Sequence, residues 1–150
     1  MIDFHNHILP AIDDGAKSIE VSIEMLKNAQ KQGIKEVVNT VHFQHPKMEN
    51  KIVTFDIIKE QIEILQKRLN EYKIDIKLHF GSEVFFLPNL LEIKSNPLTT
   101  FGGGKYMLIE FSILNIPNIQ RQLLYELKLS GVTPIIAHPE RYLPVQDNIS

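Results

Sequence analysis

Residues 2–15 read IDFHNHILPAIDDG, a short apolar run that ends in two histidines and is followed by two aspartates. Side chains alternate between the two faces of a strand, so His5 and His7 are expected to point the same way. Two imidazoles on one face, with Asp13 and Asp14 nearby, are typical of a metal site, but they also occur in solvated loops. The rest of the chain has to distinguish these two interpretations.

Strand and helix signals alternate along the remainder of the chain. Four further runs have strand composition: EVVNTVH (36–42), IDIKLHFGSEV (74–84), KYMLIEF (105–111) and VTPIIAHPE (132–140). Three helices are predicted between them, from Ser18 to Gly33, over 55–72, and from Pro117 to Gly131. Their buried faces are predicted to contain Ile19, Ile23 and Leu26, then Ile58, Ile62, Leu65, Leu69 and Tyr72, and finally Ile119, Leu123 and Leu127. This alternation predicts an α/β fold with a parallel sheet covered by helices.

The composition of the 150-residue chain excludes several classes of protein. A formal net charge of −2 gives no electrostatic reason to expect a nucleic acid or an anionic membrane as partner. The absence of cysteine excludes disulfides and thiolate metal sites, so any metal must be held by His, Asp and Glu. Neither a signal peptide nor a membrane-spanning run is found in the sequence, which predicts a cytoplasmic location without membrane insertion.

Residues of the kind that bind metals recur where the predicted strands end. In chain order they are His5 and His7, His42, Glu83 (just past the third strand), Glu110 and His138. The carboxyl ends of parallel strands form one rim, which is where α/β folds build their sites. Glu110 lies in the apolar run LIEF, where an unpaired carboxylate is costly to bury and a cation is a natural partner. The sequence therefore predicts a site for several metal ions at this rim.

Two other histidines do not lie at the end of a predicted strand. His79 precedes Glu83 within the third predicted strand and is expected to be structural or to face the surface. His45 lies in a loop three residues after His42, where it is either a pocket residue or exposed.

Five motifs resemble those of the PHP (polymerase and histidinol phosphatase) superfamily: DFHNHILPAIDDGAKS, NTVH, GSEVFF, LIEF and AHPERY. They more closely resemble the manganese-dependent protein tyrosine phosphatases of bacterial capsule and exopolysaccharide loci, over residues 1–142. The resemblance implies a distorted (β/α)7 TIM-like barrel of PHP type with three metals at its rim.

The resemblance also implies a role for each matching residue. The first metal would be bound by His5 and His7, the second by Glu110 and His138 with Glu83 bridging the two, and the third by Asp14 and His42. Asp13 is the alternative to Asp14, since the chemistry of the two residues is the same. Arg141 in HPER would be a catalytic residue that binds phosphate through its planar fork, and a surface ion pair is the alternative.

The implied reaction is metal-assisted hydrolysis of a phosphate monoester. Mn²⁺ is the expected metal, with Fe, Mg²⁺ or Zn²⁺ as alternatives for such a ligand set. The implied substrate is a phosphotyrosine protein, namely a bacterial tyrosine kinase that controls polysaccharide synthesis. Two alternatives stay open: a phosphatase for a small metabolite such as histidinol phosphate, and an inactive remnant acting as an interaction module.

One departure from the family pattern concerns the end of the sequence. The family carries a late D-x-H motif, and no such motif follows His138. Residues 1–150 are therefore expected to be the N-terminal part of a PHP phosphatase domain, with about five of the seven strands present. Three explanations are open: a fragment, a homodimer or swapped oligomer in which a partner supplies the missing elements, and a natural truncation.

Overall fold

Strands and helices alternate along the chain in the computed structural model, which describes residues 1–49 and 51–147. The strands are β1 (Ile2–Asn6), β2 (Glu36–Phe43), β3 (Lys77–Phe85), β4 (Tyr106–Glu110) and β5 (Thr133–Ile136). The helices are α1 (Ile19–Lys31), α2 (Phe55–Glu71), α3 (Leu90–Ile93), α4 (Gln120–Leu129) and α5 (Leu143–Gln146), with 3-10 turns at Pro46–Met48, Pro97–Thr99, Phe101–Gly103 and Pro139–Arg141.

The strands form one parallel sheet in the order β1-β2-β3-β4-β5. Each strand therefore pairs with the next strand along the chain, which is the connectivity from which β/α barrels are built. All carboxyl ends meet at one rim, and the register places His42 directly beside Glu83. The predicted α/β fold with a parallel sheet is confirmed.

The helices cover one face of the sheet and bury its apolar side chains. Val37 and Val41 on β2 pack in one cluster with Leu26 of α1 and Leu65 of α2. A second cluster joins residues of β4 to Leu123 and Leu127 of α4. Burial of each large aliphatic side chain contributes about 1.5–3 kcal/mol. The opposite face of the strands, on which His42 and Glu83 lie, is left to form the site.

Two of the three predicted helix starts are set by capping residues. The Ser18 hydroxyl accepts a hydrogen bond from the amide of Val21 at the start of α1, and the Thr54 hydroxyl accepts one from Ile57 at the start of α2. The third prediction was wrong by three residues, since α4 begins at Gln120 and has no side-chain cap.

The structure corrects several details of the sequence-based predictions. Tyr72 is 54% exposed because it caps α2 instead of lying on its buried face. Ile119 is 46% exposed because it precedes the first helical residue of α4. Glu83 lies within β3 and not just past it. The fifth strand ends at Ile136, because Pro139 already begins a 3-10 turn.

None of the helices formed by residues 1–49 and 51–147 is both long enough and apolar enough to cross a membrane.

Candidate metal centre

The carboxyl ends of the five strands bring all the predicted metal-binding side chains to one cavity of about 490 Å³. These side chains are His5, His7, Asp14, His42, Glu83, Glu110 and His138. Each comes from a strand end or from the residues that follow a strand, so the parallel sheet brings them to one rim, and the loops after β1 and β5 complete the placement of Asp14 and His138.

Glu83 lies at the centre of this cluster and is 1% exposed. Its Oε2 atom is 3.2 Å from His5 Nε2 and 3.1 Å from His7 Nε2. Its Oε1 atom is 2.8 Å from His138 Nε2. Because both carboxylate oxygens face imidazole nitrogens from separate strands, Glu83 has the geometry of a bridging ligand.

The loop after β1 places two neighbouring aspartates in different environments. Asp13 is directed inward, where its Oδ2 atom is 2.7 Å from His7 Nδ1. Asp14 is about half exposed, and its Oδ1 atom is 3.3 Å from His42 Nε2. The loop itself is held by Asn39 of β2, whose Oδ1 atom accepts hydrogen bonds from the amides at positions 8 and 9.

Glu110 and His42 leave buried polar atoms without hydrogen-bond partners among the described residues. Glu110 Oε2 is 3.5 Å from His42 Nδ1 and 3.6 Å from His45 Nε2, and neither contact is a hydrogen bond. Buried polar atoms left in this way cost about 1–3 kcal/mol each. A cation among them would satisfy these atoms.

His138 reaches the cluster through an unusual backbone conformation. Its φ angle is 27° and its ψ angle is 60°, in the left-handed region that non-glycine residues rarely adopt. The buried Tyr142 holds this turn, because its hydroxyl donates to the carbonyl of Ala137 and accepts the amide of Phe111. The strained backbone therefore directs the imidazole towards Glu83.

Three sets of these side chains offer ligand atoms that all lie within 4.8 Å of one another. The sets are His5 with Glu83 and His138, His7 with Asp14 and His42, and His42 with Glu83 and Glu110. Adjacent ligands on an ion with bonds of about 2.1 Å lie about 3 Å apart, as the contacts to Glu83 do. The residues therefore fit divalent metal ions. This grouping of the candidate ligands differs from the one that the resemblance implies, because His5 is grouped here with His138, and His7 with Asp14.

The pKa values of His7, Glu83 and Glu110 depart from their ordinary values because these side chains are buried close together. Burial lowers the pKa of His7, but hydrogen bonds to Asp13 and Glu83 outweigh burial and raise it to about 10. Burial, followed by the charge of Glu83, raises the pKa of Glu110 to about 7. Burial also acts to raise the pKa of Glu83, yet hydrogen bonds from His5 and His7 hold it well below its ordinary value. In the metal-free protein, protons therefore supply part of the positive charge that a metal ion would bring.

The cavity wall contains further residues, some of which the sequence did not indicate. Arg141, the predicted phosphate ligand, is exposed on this wall. Lys47 and Ile113 also line the cavity, and Lys47 Nζ is 3.6 Å from Asp14 Oδ2. No motif marked these two, because they come from loops whose path depends on the tertiary structure.

His45 and His79 lie in different parts of the structure. His45 lies beside the site without lining its cavity, because its ring is 4.8 Å from that of His42, centroid to centroid, and its Nε2 atom is 3.6 Å from Glu110 Oε2. His79 contacts Glu36 at 2.7 Å, and neither residue lines the metal-site cavity.

Comparisons with known proteins agree on one family. Residues 1–150 match the family described as capsular polysaccharide synthesis, CpsB/CapC. The chain belongs to the CpsB/CapC family. Its relatives include tyrosine-protein phosphatase YwqE of Bacillus subtilis (strain 168), to which it is 39% identical over 153 residues. They also include tyrosine-protein phosphatase CpsB of Streptococcus pneumoniae, to which it is 31% identical over 149 residues.

A solved structure supports both the CpsB/CapC family and the fold. It comes from the crystal structures of YwqE from Bacillus subtilis and CpsB from Streptococcus pneumoniae, described as unique metal-dependent tyrosine phosphatases. The TM-score is 0.92 at 37% identity, and the match covers 99% of this chain and 59% of the other. The alignments cover 100% and 99% of this chain but only 58% of YwqE and 60% of CpsB.

Proposed function

We propose that this chain is a metal-dependent phosphomonoesterase, specifically a protein tyrosine phosphatase. The observation that carries the proposal is the buried Glu83 carboxylate, which contacts His5 and His7 at the end of β1 and His138 after the end of β5. A purely structural role for Glu83 does not require three imidazoles around one carboxylate. A hydrolase that uses several metal ions does require such a set of ligands. The names of the relatives in the CpsB/CapC family support the choice of phosphotyrosine.

The proposed metal is Mn²⁺, with Fe, Mg²⁺ and Zn²⁺ as alternatives. The proposed ligands are His5, His7, Asp14, His42, Glu83, Glu110 and His138. When bound, such ions supply Lewis-acid activation of water and neutralise the charge of the phosphate.

The other residues of the cavity bind and orient the substrate. The guanidinium of Arg141 is suited to hold two phosphate oxygens at once, which makes it the proposed catalytic residue outside the metal ligands. Lys47 adds a second positive charge on the same wall. Ile113 is 51% exposed there and offers an apolar contact for the phenyl ring of a phosphotyrosine.

The finer features of the fold and the biological setting are part of the same proposal. We propose that residues 1–150 belong to a PHP-type phosphatase domain built on a (β/α)7 TIM-like barrel, which the chain-order parallel sheet supports. The proposed partner is a bacterial tyrosine kinase of a capsule or exopolysaccharide locus, in the cytoplasm. Because β1 and β5 are the edges of the described sheet, a homodimer or swapped oligomer is also proposed, and sedimentation of the purified chain tests it.

The test compares substrates on the purified chain supplied with Mn²⁺. Hydrolysis of a phosphotyrosine peptide is expected to exceed that of histidinol phosphate, because only the aromatic ester gains the contact with Ile113. The substitution His138→Ala is expected to lower the Mn²⁺ content and the turnover of p-nitrophenyl phosphate together. A wild-type chain that binds Mn²⁺ but hydrolyses neither substrate would support the inactive remnant and overturn the phosphatase proposal.

A further inference from the structure

Asp13 is buried beside the cluster, and both of its carboxylate oxygens are already engaged. The side chain is 3% exposed. Its Oδ2 atom is 2.7 Å from His7 Nδ1 and accepts the backbone amide of His42 at 3.2 Å. Its Oδ1 atom accepts the amide of Gly15 at 3.0 Å. Oδ2 already faces the His7 ring nitrogen and the His42 amide, which leaves it no lone pair for a metal ion, and Oδ1 is directed at the amide of Gly15; this distinguishes Asp13 from the half-exposed Asp14.

The contact with His7 fixes which of its ring nitrogens carries the proton. An ionised carboxylate only accepts hydrogen bonds, so Nδ1 of His7 must donate to Asp13. The Nε2 atom of a neutral His7 then presents a lone pair to Glu83 Oε2, 3.1 Å away. Two acceptors at this distance repel each other unless a proton or a metal ion lies between them. Asp13 therefore selects the tautomer in which His7 is able to bind a metal.

The position of Asp13 is itself fixed by a tight loop. The amide of Ala16 donates to the carbonyl of His7 at 3.1 Å, which closes the loop onto the end of β1. A Cβ atom on Gly15 would lie 2.1 Å from the His7 carbonyl oxygen, so only glycine fits there. Through the amide of His42, the same carboxylate also holds the end of β2.

We propose that Asp13 is a positioning residue of the metal centre, which orients His7 Nε2 and aligns the ends of β1 and β2 without binding a metal. This inference rests on the proposed metal centre. It assigns different roles to two adjacent aspartates, with Asp14 as ligand and Asp13 as the group behind a ligand.

The test is calorimetric titration of Mn²⁺ into the purified chain and three variants. Asp13→Asn is expected to weaken affinity about 10–100-fold with the number of bound ions unchanged, as loss of a group behind a metal-binding histidine typically does. Asp14→Asn is expected to remove one bound ion. Asp75→Asn is the matched control, because the side chain of Asp75 is exposed and pairs with Lys35 at 2.7 Å, away from the metal-site cavity; it should leave both quantities unchanged.

A conservative replacement and a spectroscopic measurement separate positioning from a merely structural role. The amide side chain introduced by Asp13→Asn still offers one oxygen to His7, so Asp13→Ala should weaken Mn²⁺ binding further than Asp13→Asn does. In the Zn²⁺-loaded chain, the Nδ1–H resonance of His7 should move upfield in Asp13→Asn relative to the wild type, because a weaker acceptor replaces the carboxylate.

The outcomes are distinguishable. A wild-type chain that binds no Mn²⁺ or Zn²⁺ would overturn the metal centre, and this inference with it. If the wild type binds the metal, a lower number of ions in Asp13→Asn would make Asp13 a ligand and overturn the positioning role alone. An affinity within about twofold of the wild type in Asp13→Asn, with an unmoved His7 resonance, would do the same.

Discussion

Strand β3 carries a histidine–carboxylate contact near each of its ends, and the surroundings of the two contacts differ. Near the amino end, His79 contacts Glu36 at 2.7 Å, and the two side chains are 29% and 39% exposed. Towards the carboxyl end, Glu83 is buried and contacts three histidines. Both ends lie on the same face of the sheet, since His79 and Glu83 are four residues apart in one strand.

The comparison teaches that a histidine–carboxylate pair is not by itself a sign of a metal centre. In a partly exposed pair such as His79 with Glu36, both side chains are open to solvent, so the pair is an ordinary surface contact and needs no cation. The contacts of Glu83 differ because burial removes water and because separate strands supply the imidazoles. The feature that indicates a functional site is therefore that imidazoles from separate strands meet at one buried carboxylate.

The largest effect is expected from Glu83→Gln, compared with Glu36→Gln at the other end of the sheet. Glu83→Gln removes the charge that the proposed metals share, so Mn²⁺ content should fall and kcat/KM should drop by at least about 1,000-fold. Elemental analysis and p-nitrophenyl phosphate hydrolysis measure the two effects. Glu36→Gln should change neither. Equal Mn²⁺ content in both variants would mean that the two ends of the strand do not differ as proposed.

Metal binding at the carboxyl ends of the strands should depend on pH. Between about pH 7 and 8, His7 carries a proton that a metal must displace, so Mn²⁺ affinity should rise about tenfold per pH unit. Below about pH 7, Glu110 also gains a proton in the metal-free protein, and the dependence should become steeper. Calorimetric titrations from about pH 6 to 8 measure it. In Glu110→Gln the extra steepness should be absent, and an affinity independent of pH would contradict the assignment.

An intermediate effect is expected from Arg141→Gln. Loss of charge-assisted hydrogen bonds to phosphate should raise KM for a phosphotyrosine peptide about 10–100-fold. The Mn²⁺ content should stay unchanged, because the guanidinium of Arg141 forms no ion pair with a proposed ligand among residues 1–49 and 51–147, and its backbone hydrogen bond to His138 is kept in the variant. Arg121→Gln, an exposed arginine on α4, is the control. An unchanged KM in Arg141→Gln would make Arg141 an ordinary surface residue.

Much of the difference between the two ends of β3 was predictable from the sequence. The rule that parallel strands end at one rim predicts that His42, Glu83 and Glu110 lie together. The same rule places His79 away from this rim, because His79 lies well before the end of its strand. The parallel α/β fold followed from the same alternation of strands and helices and is confirmed by the structure.

Other features depend on loop conformation and were not predictable from the sequence. Asp13 and Asp14 have the same chemistry and adjacent positions, so only the hydrogen bonds of the folded loop distinguish them. His45 reaches the cluster because its Nδ1 atom caps the turn at Pro46–Met48, which directs Nε2 towards Glu110. The sequence places Ile119 on a buried helix face because Pro117 is a typical first helical residue, whereas α4 begins at Gln120 without a side-chain cap that would mark its start.

The smallest effect is expected at the amino end, from His79→Gln. Because both partners of the His79–Glu36 pair are partly exposed, the coupling between them should be at most about 1 kcal/mol. Urea unfolding of the single variants His79→Gln and Glu36→Gln and of the double variant gives that coupling as a double-mutant cycle. Mn²⁺ affinity should be unchanged in all three. A coupling of several kcal/mol would contradict the description of His79 and Glu36 as an ordinary exposed pair. Weakened Mn²⁺ binding in His79→Gln would show that the amino end is coupled to the metal centre, because an isolated exposed pair has no means of producing that result.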